Sequence, residues 1–452
     1  MAIKKKIAII GSGMAGCFMA LCLAKKGYFV EIYEERADIR KARSESGRSF
    51  NITLYYRGIL ALKKAGLWNE IKKISTLAVG NYAHYGENQV TYDKYDAHDT
   101  EVLYTVHRNK LNSKLLDIAE KRKNIKIHFN SRLVRIDKEK RTFVIQTASD
   151  KKMKKVSADM VVGADGVNSF VRSAIIEPQS EKNSRIQEDW GYKEVYITPQ
   201  KADLLKLSSS ATHTWPRKNS LLIAFPNSDK SLTLMINLPL KGKNSFAVLN
   251  TEKKVNNFVA NNFSELLPIS TEIVKSFTEN PTGNFVTIKT APWYFKDYIV
   301  LIGDAAHGVI PFFGQGVCAA LDDCLTITNL MDVYKNDWEK MFSEFEKRRK
   351  IDMDTLSHLA KENFIELRDK SRSSFFILKE KTDTALNKAF PSIWLPSLYV
   401  LIAHGTLNYN KAYRLHRRQN RIARYLGLDL LILIATIPWL FYIKLKKVLI
   451  SH

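Results

Sequence analysis

The sequence predicts an α/β protein. It has a Rossmann-type nucleotide-binding domain built from separated segments, an inserted antiparallel β-sheet domain, and a helical C-terminal region with a hydrophobic tail helix. Three observations predict this. An apolar strand, Lys6–Ile10, runs into Gly11-Ser12-Gly13-Met14-Ala15-Gly16 and then into a helical stretch. Polar and apolar residues alternate in several runs across 185–240, the period of half-buried antiparallel strands. Residues 315–435 are mostly helical in pattern, with a break bounded by Pro391 and Pro396.

In chain order, the first helix reaches about Lys26, Gly27 ends it, and residues 28–33 form the next strand. Residues 52–76 read as helical, with Leu60 and Leu67 on one apolar face. Residues 79–105 carry many aromatics without helical period and read as strands and loops. A helix over 111–123 and a strand over 125–129 follow. Residues 133–137 and 143–147 read as a hairpin, and 160–163 as a short buried strand. Residues 252–280 read as helical and 299–302 as a buried strand. The expected division assigns 1–75, 106–180 and 286–335 to the nucleotide-binding domain and 76–105 and 181–285 to the sheet domain. It leaves 336–425 as the helical region and 426–452 as the tail.

The 452 residues carry 70 Lys+Arg against 46 Asp+Glu, a net charge of +24. That balance favours anionic partners. No zinc-finger spacing, RNP motif or compact basic helix lies in the body, so nucleic acid is not an expected partner. Most of the excess reads as a lysine-rich solvated surface. The four cysteines, Cys17, Cys22, Cys318 and Cys324, sit in apolar stretches without a C-x-x-C pair. They read as buried small hydrophobes in a reducing, intracellular compartment, with no disulfide framework. The histidines show no H-x-x-x-H, and no metal site is expected.

Lys4-Lys5-Lys6 followed by an apolar stretch resembles a signal peptide, but the glycine order inside that stretch has another purpose. At the other end, residues 430–443 are uncharged. Arg414, Arg417, Arg418, Arg421 and Arg424 precede them, and Lys444, Lys446 and Lys447 follow. This is a candidate membrane anchor, spanning or in-plane. The alternative is a terminal helix packed on an apolar groove of the chain itself. Apart from the tail, the chain is expected to be cytoplasmic.

Three motifs carry chemistry. In the first, Gly11 permits a tight turn, Gly13 lets backbone approach a pyrophosphate, and Gly16 lets helix and strand pack closely. Phosphates then sit at a helix N-terminus, and Glu34 ends the second strand where it can accept from ribose hydroxyls. The second runs from Val161 through Gly163-Ala164-Asp165-Gly166 to Ser169 and Arg172. Asp165 there either serves a ligand or caps the following helix, with Arg172 as its partner. In the third, a buried strand delivers Asp304 at its C-terminal end, followed by His307 and Pro311-Phe312-Phe313-Gly314-Gln315-Gly316. The Asp can bond a sugar hydroxyl, and the glycine-rich turn offers N–H groups to a ring oxygen. His307 reads as structural more readily than catalytic.

Together, in this order, the three motifs resemble those of the group A flavoprotein monooxygenases, the p-hydroxybenzoate hydroxylase-like family. The resemblance implies FAD held by Gly11, Gly13, Met14, Ala15, Gly16, Glu34, Arg36, Arg108, Asp165, Asp304, Gly314 and Gly316. It implies NADPH or NADH as reductant without a second Rossmann domain, O2 as co-substrate, and a small aromatic substrate beneath the inserted sheet. Residues 311–316 would line the flavin face, with Pro311 and Phe312 as walls and Gln315 as a polar contact. The halogenase motif W-x-W-x-I-P is absent. A non-catalytic FAD-binding protein is the alternative outside enzymes.

The resemblance narrows to the kynurenine 3-monooxygenases at Gly47-Arg48-Ser49-Phe50-Asn51, Tyr56-Arg57-Gly58, Trp215-Pro216-Arg217 and Asn363-Phe364-Ile365-Glu366. It implies hydroxylation of kynurenine, with Tyr95, Asn363 and Tyr399 orienting the substrate. Four positions depart from that pattern. Asn81 stands where the family's carboxylate-binding arginine falls. Thr212 and Thr214 replace aliphatic residues, and Asn237 replaces an aromatic, which implies a more polar pocket. A different aromatic substrate, as in secondary metabolism, therefore stays open.

Overall fold

The computed structural model describes residues 5–41, 51–86, 89–95, 103–177, 180–370 and 374–425. A six-stranded sheet forms the nucleotide-binding half, in the order Tyr294–Phe295, Ile299–Leu301, Met160–Gly163, Lys6–Ile10, Phe29–Tyr33, Ile125–His128. Its strands are parallel except the first, Tyr294–Phe295. Ile7, Ala8, Ile9, Val161, Val162 and Val300 are fully buried, because helices cover both faces of such a sheet. The helix Met14–Lys25 is buried from Gly16 to Ala24. It touches the sheet on one side and the helices Gly316–Tyr334 and Arg108–Glu120 on others. That all-round burial explains its apolar, signal-like sequence.

The second half is a seven-stranded sheet, in the order Gly283–Thr290, Asn183–Ile197, Leu232–Pro239, Ser220–Pro226, Thr212–Arg217, Gly80–Gly86, Gln89–Lys94. All neighbours are antiparallel except Thr212–Arg217 with Gly80–Gly86, which run parallel with Thr212 opposite Asn81. One face packs on the helices Glu252–Asn262 and Ser270–Glu279 through Trp215, Leu222, Leu234, Phe258 and Ile273. The other face looks towards the nucleotide-binding half. Asn51 and Thr105 tie the two halves by donating to the carbonyl of Pro226, at 3.2 and 2.6 Å.

The helical stretch expected over 52–76 begins differently. Asn51–Leu54 is a strand, paired with Leu103–His107, and helices follow at Tyr56–Ala65 and Trp68–Lys72. Thr76–Ala78 completes that small sheet, so the strands between 76 and 105 divide between two sheets. After Gly316–Tyr334, the long helix Trp338–Ile365 leads to Ser374–Ala389, Leu398–Ala403 and Tyr409–Tyr425. The hydrophobic-tail expectation falls on 426–452, outside the described residues. Among the described residues no helix is long and apolar enough to cross a membrane.

Candidate active site

A cavity of about 1880 Å³ runs between the two halves. Drug-sized ligands occupy roughly 300–1,000 Å³, so there is room for a dinucleotide and a second molecule. Seventeen of the nineteen singled-out residues line it. Gly11, Gly13, Met14, Ala15, Glu34, Arg36, Arg108, Asp165 and Asp304 surround one part. Pro311, Phe312, Gly314, Gly316, Asn81, Tyr95, Asn363 and Tyr399 surround the rest.

The glycine loop follows from close packing. Gly11 has φ +100, and a Cβ there would lie 2.5 Å from the carbonyl oxygen of Ala164. A Cβ on Gly16 would meet the carbonyl oxygen of Gly11 at 2.0 Å. Gly16 is therefore a packing residue and does not line the cavity. A Cβ on Gly13, in contrast, would meet nothing within 4 Å, so that side of the loop is open. Glu34 accepts from the backbone N–H of Ser12 at 2.8 Å, its hydroxyl at 3.0 Å, and Arg36 Nε at 2.7 Å. Burial pushes its carboxyl up, but Arg36 and the Ser12 N–H outweigh burial and hold it below the ordinary range. An open glycine turn, free helix N–H groups and an ionised carboxylate suit the phosphate and ribose of FAD.

Asp165 behaves otherwise. Its carboxylate accepts from Ser169 Oγ at 2.5 Å and from the N–H groups of Phe170 and Val171 at 2.7 and 3.1 Å, capping the helix Phe170–Ile175. The expected partner Arg172 turns away and donates to the carbonyls of Ala305 and Val167, at 2.9 and 2.8 Å. Asp165 borders the cavity, with its oxygens committed to the cap.

Gln315 also differs from expectation. It is buried and does not line the cavity, and its Oε1 accepts from the Tyr409 hydroxyl at 3.0 Å. Being next to two glycines, it turns into the core while their backbone faces outward. His307 is structural, donating through Nε2 to Asp323 at 2.6 Å. Asp323 also accepts from the Gly303 N–H at 3.0 Å and Arg349 Nε at 2.8 Å. Arg349 and Arg57 both reach Asp322, at 2.7 and 3.4 Å. Burial pushes the Asp323 carboxyl up, and His307 and Arg349 more than reverse it. This network fixes the turn before Asp304 from behind. Sequence reasoning missed it, although the paired Asp322-Asp323 on an apolar helix was a signal.

Over the remaining part, Phe312 stacks on Phe364 with ring centroids 4.2 Å apart, and Asn363 Nδ2 donates to the Phe312 carbonyl at 2.7 Å. Gly314, at φ +64, lies so near Thr53 that a Cβ would come within 2.3 Å of its Oγ1. The Tyr399 hydroxyl meets that of Tyr55 at 2.9 Å, a partner not foreseen. Burial pushes Tyr95 and Tyr399 far above the usual phenol range, so both remain neutral hydrogen-bonding groups.

The residues that depart from the family pattern touch one another. Asn81 Nδ2 donates to Thr214 Oγ1 at 3.0 Å, and Asn81 Oδ1 accepts from Thr212 Oγ1 at 2.9 Å. Tyr95 hydrogen-bonds Thr212 Oγ1 in turn. Asn237 is the exception. It is fully buried, does not line the cavity, and donates to the Leu221 carbonyl at 2.7 Å, so it adds no polarity to the pocket.

The FAD binding domain family matches residues 4–351. A kynurenine 3-monooxygenase of Legionella pneumophila (strain Corby) is 36% identical, over 92% of this chain and 92% of its own length. One from Flavobacterium psychrophilum is 35% identical over 90% of each. Among solved structures, tetrameric 2-methyl-3-hydroxypyridine-5-carboxylic acid oxygenase superposes with TM-score 0.67 at 19% identity, covering 88% of this chain and 95% of that one.

Proposed function

Since the chain belongs to the kynurenine 3-monooxygenase family of FAD-dependent monooxygenases, we propose that it hydroxylates an ortho-amino aryl ketone of the L-kynurenine type. The hydroxyl would enter on the ring carbon beside the amine. The observation that carries this reading is the junction of the two cavity parts. There Asn363 donates to the Phe312 carbonyl and Phe313 stacks on Tyr399, so an aromatic ring held by Asn363, Tyr95 and Tyr399 would face the 311–316 turn.

Bound FAD would supply the redox chemistry, with NAD(P)H as the two-electron reductant and O2 as the source of the hydroxyl oxygen, its other atom leaving as water. The chain's own part is binding, orientation and exclusion of water. Gly11, Gly13 and the N-terminus of the helix Met14–Lys25 would hold the pyrophosphate, and Glu34 the ribose. Asp304 would hold a polyol hydroxyl, and the backbone of Gly314 and Gly316 would meet the ring system. Phe312, with Phe364 stacked behind it, walls the reacting region with apolar surface. The neutral phenols of Tyr95 and Tyr399 donate or accept without placing a charge beside the ring.

The exposed arginines of the helix Tyr409–Tyr425, ahead of an uncharged stretch, support a membrane-facing C-terminus. For the reaction, the test is NADPH consumption by the yellow holoenzyme with L-kynurenine, with products separated by chromatography. 3-Hydroxykynurenine formed in step with NADPH oxidation is expected. Peroxide as the sole oxygen product would refute it.

A further inference from the structure

The cluster at Asn81 bears on which side chain of the substrate is recognised. Each group within hydrogen-bonding distance of the Asn81 side chain is neutral: Thr212 at 2.9 Å and Thr214 at 3.0 Å. The Thr212 hydroxyl has one proton and two acceptors in reach, Asn81 Oδ1 at 2.9 Å and the Gly80 carbonyl at 3.3 Å. Given to either, that proton leaves Thr212 to accept from the Tyr95 hydroxyl. Asn81 Nδ2 then gives one proton to Thr214 Oγ1. Among the described hydrogen bonds, the Thr214 proton and the second Nδ2 proton of Asn81 are left over, and both residues line the cavity. The register sets this arrangement. Asn81 faces Thr212 across a parallel strand pair, and residues two apart share a face.

We infer that Asn81, Thr212 and Thr214 form a neutral, donor-rich specificity element that selects substrates whose side chain ends in an uncharged acceptor, an amide or ketone, over a free carboxylate. This rests on the aryl ketone reading above. A carboxylate desolvated against these three residues gains only neutral hydrogen bonds from them; of the lysines on the cavity wall, Lys381 interacts with Asp93, the residue opposite Asn81, and Lys379 pairs with Asp383. An amide carbonyl gains the same bonds without that desolvation. Asn81 is not free to turn towards an anion, since both ends of its side chain are engaged. Displacing it would also strip Thr212 of its nearer acceptor.

The experiment titrates the FAD-loaded enzyme with L-kynurenine and with L-kynurenine amide, reading dissociation constants from the flavin absorbance change. Product analysis follows on both. The amide is expected to bind at least as tightly as the acid, by up to about tenfold. Preference for the free acid by more than about threefold overturns the inference, whether or not hydroxylation occurs. Hydroxylation of neither compound would sink the proposed reaction, yet the binding ratio still decides the present point. Asn81→Arg supplies a cation and is expected to swing the ratio towards the acid by roughly 10–100-fold. Thr214→Val keeps the shape and removes a leftover donor. It should weaken the amide by roughly 3–10-fold, with flavin content unchanged. Equal binding of amide by Thr214→Val and wild type would count against the element.

Discussion

Asn363, on the long helix Trp338–Ile365, donates through Nδ2 to the backbone carbonyl of Phe312 at 2.7 Å, and both residues are buried. The C-terminal half of the chain thereby holds the loop that precedes Gly314. Asn363→Ala leaves that carbonyl without its donor, at a cost of about 1–3 kcal/mol. The expected outcome is a loss in kcat/KM of roughly 5–150-fold with FAD still bound. Steady-state kinetics beside a flavin-to-protein absorbance ratio checks it. Asn363→Asp should be no better, because a carboxylate cannot donate to a carbonyl.

Asp323 gathers the Gly303 N–H, His307 and Arg349 in a fully buried site. Asp323→Ala leaves Arg349 buried with one counter-charge fewer. A destabilisation of about 3–5 kcal/mol is expected, read as a lower urea midpoint and loss of yellow colour. Asp323→Asn should lie between. A variant as stable as wild type would remove this network from the account.

Gly11→Ala places a Cβ 2.5 Å from a backbone oxygen at φ +100. No flexible side chain can yield there. The variant should purify colourless, with far-UV circular dichroism close to wild type. Normal flavin content would contradict the cradle assigned to this loop.

The sheet's far face carries a pH-dependent term. His84 Nε2 donates to His213 Nδ1 at 3.0 Å, and His213 Nε2 donates to the Ser208 carbonyl at 3.0 Å. Burial pushes both imidazoles down to about 4. The unfolded chain takes up protons as pH falls below roughly 6.5, while the folded chain resists until about 4. The contribution is therefore complete above about 6.5 and is lost as pH falls towards 4. Urea titrations across that window should show the wild type losing stability more steeply than His213→Gln.

Deletion of residues 426–452 should move the protein from the membrane pellet to the supernatant of a lysate. Unchanged partitioning would refute the anchor. Neutralising Arg417, Arg418 and Arg421 in the full chain should weaken pelleting in a salt-dependent way.

The turns of the nucleotide-binding half were legible because each motif is local. A strand end, a glycine turn and a helix start are contiguous, so Gly11, Glu34, Asp304 and Gly314 could be set at turns and strand ends from the sequence, and the structure brings them to one cavity. The Asp323, Arg349 and Arg57 network was not, since its members are far apart in sequence and pair only once three helices have packed. Gln315 shows a second limit. Glycines on either side say where the backbone turns, but the direction of the side chain between them is decided by Tyr409, far downstream. Asn51–Leu54 shows a third: four residues are too few to declare a strand before their partner, Leu103–His107, is known.

The same wiring has a consequence for biosynthesis. The Gly11 loop leaves the ribosome first, but the floor under Asp304 is finished only when Arg349 has reached Asp323 and Arg57 has reached the Leu407 carbonyl, at 2.6 Å. At about 5–20 residues per second, translation separates those events by on the order of tens of seconds. Cofactor capture is thus a late step, and nascent chains truncated before residue 349 should emerge as apoprotein.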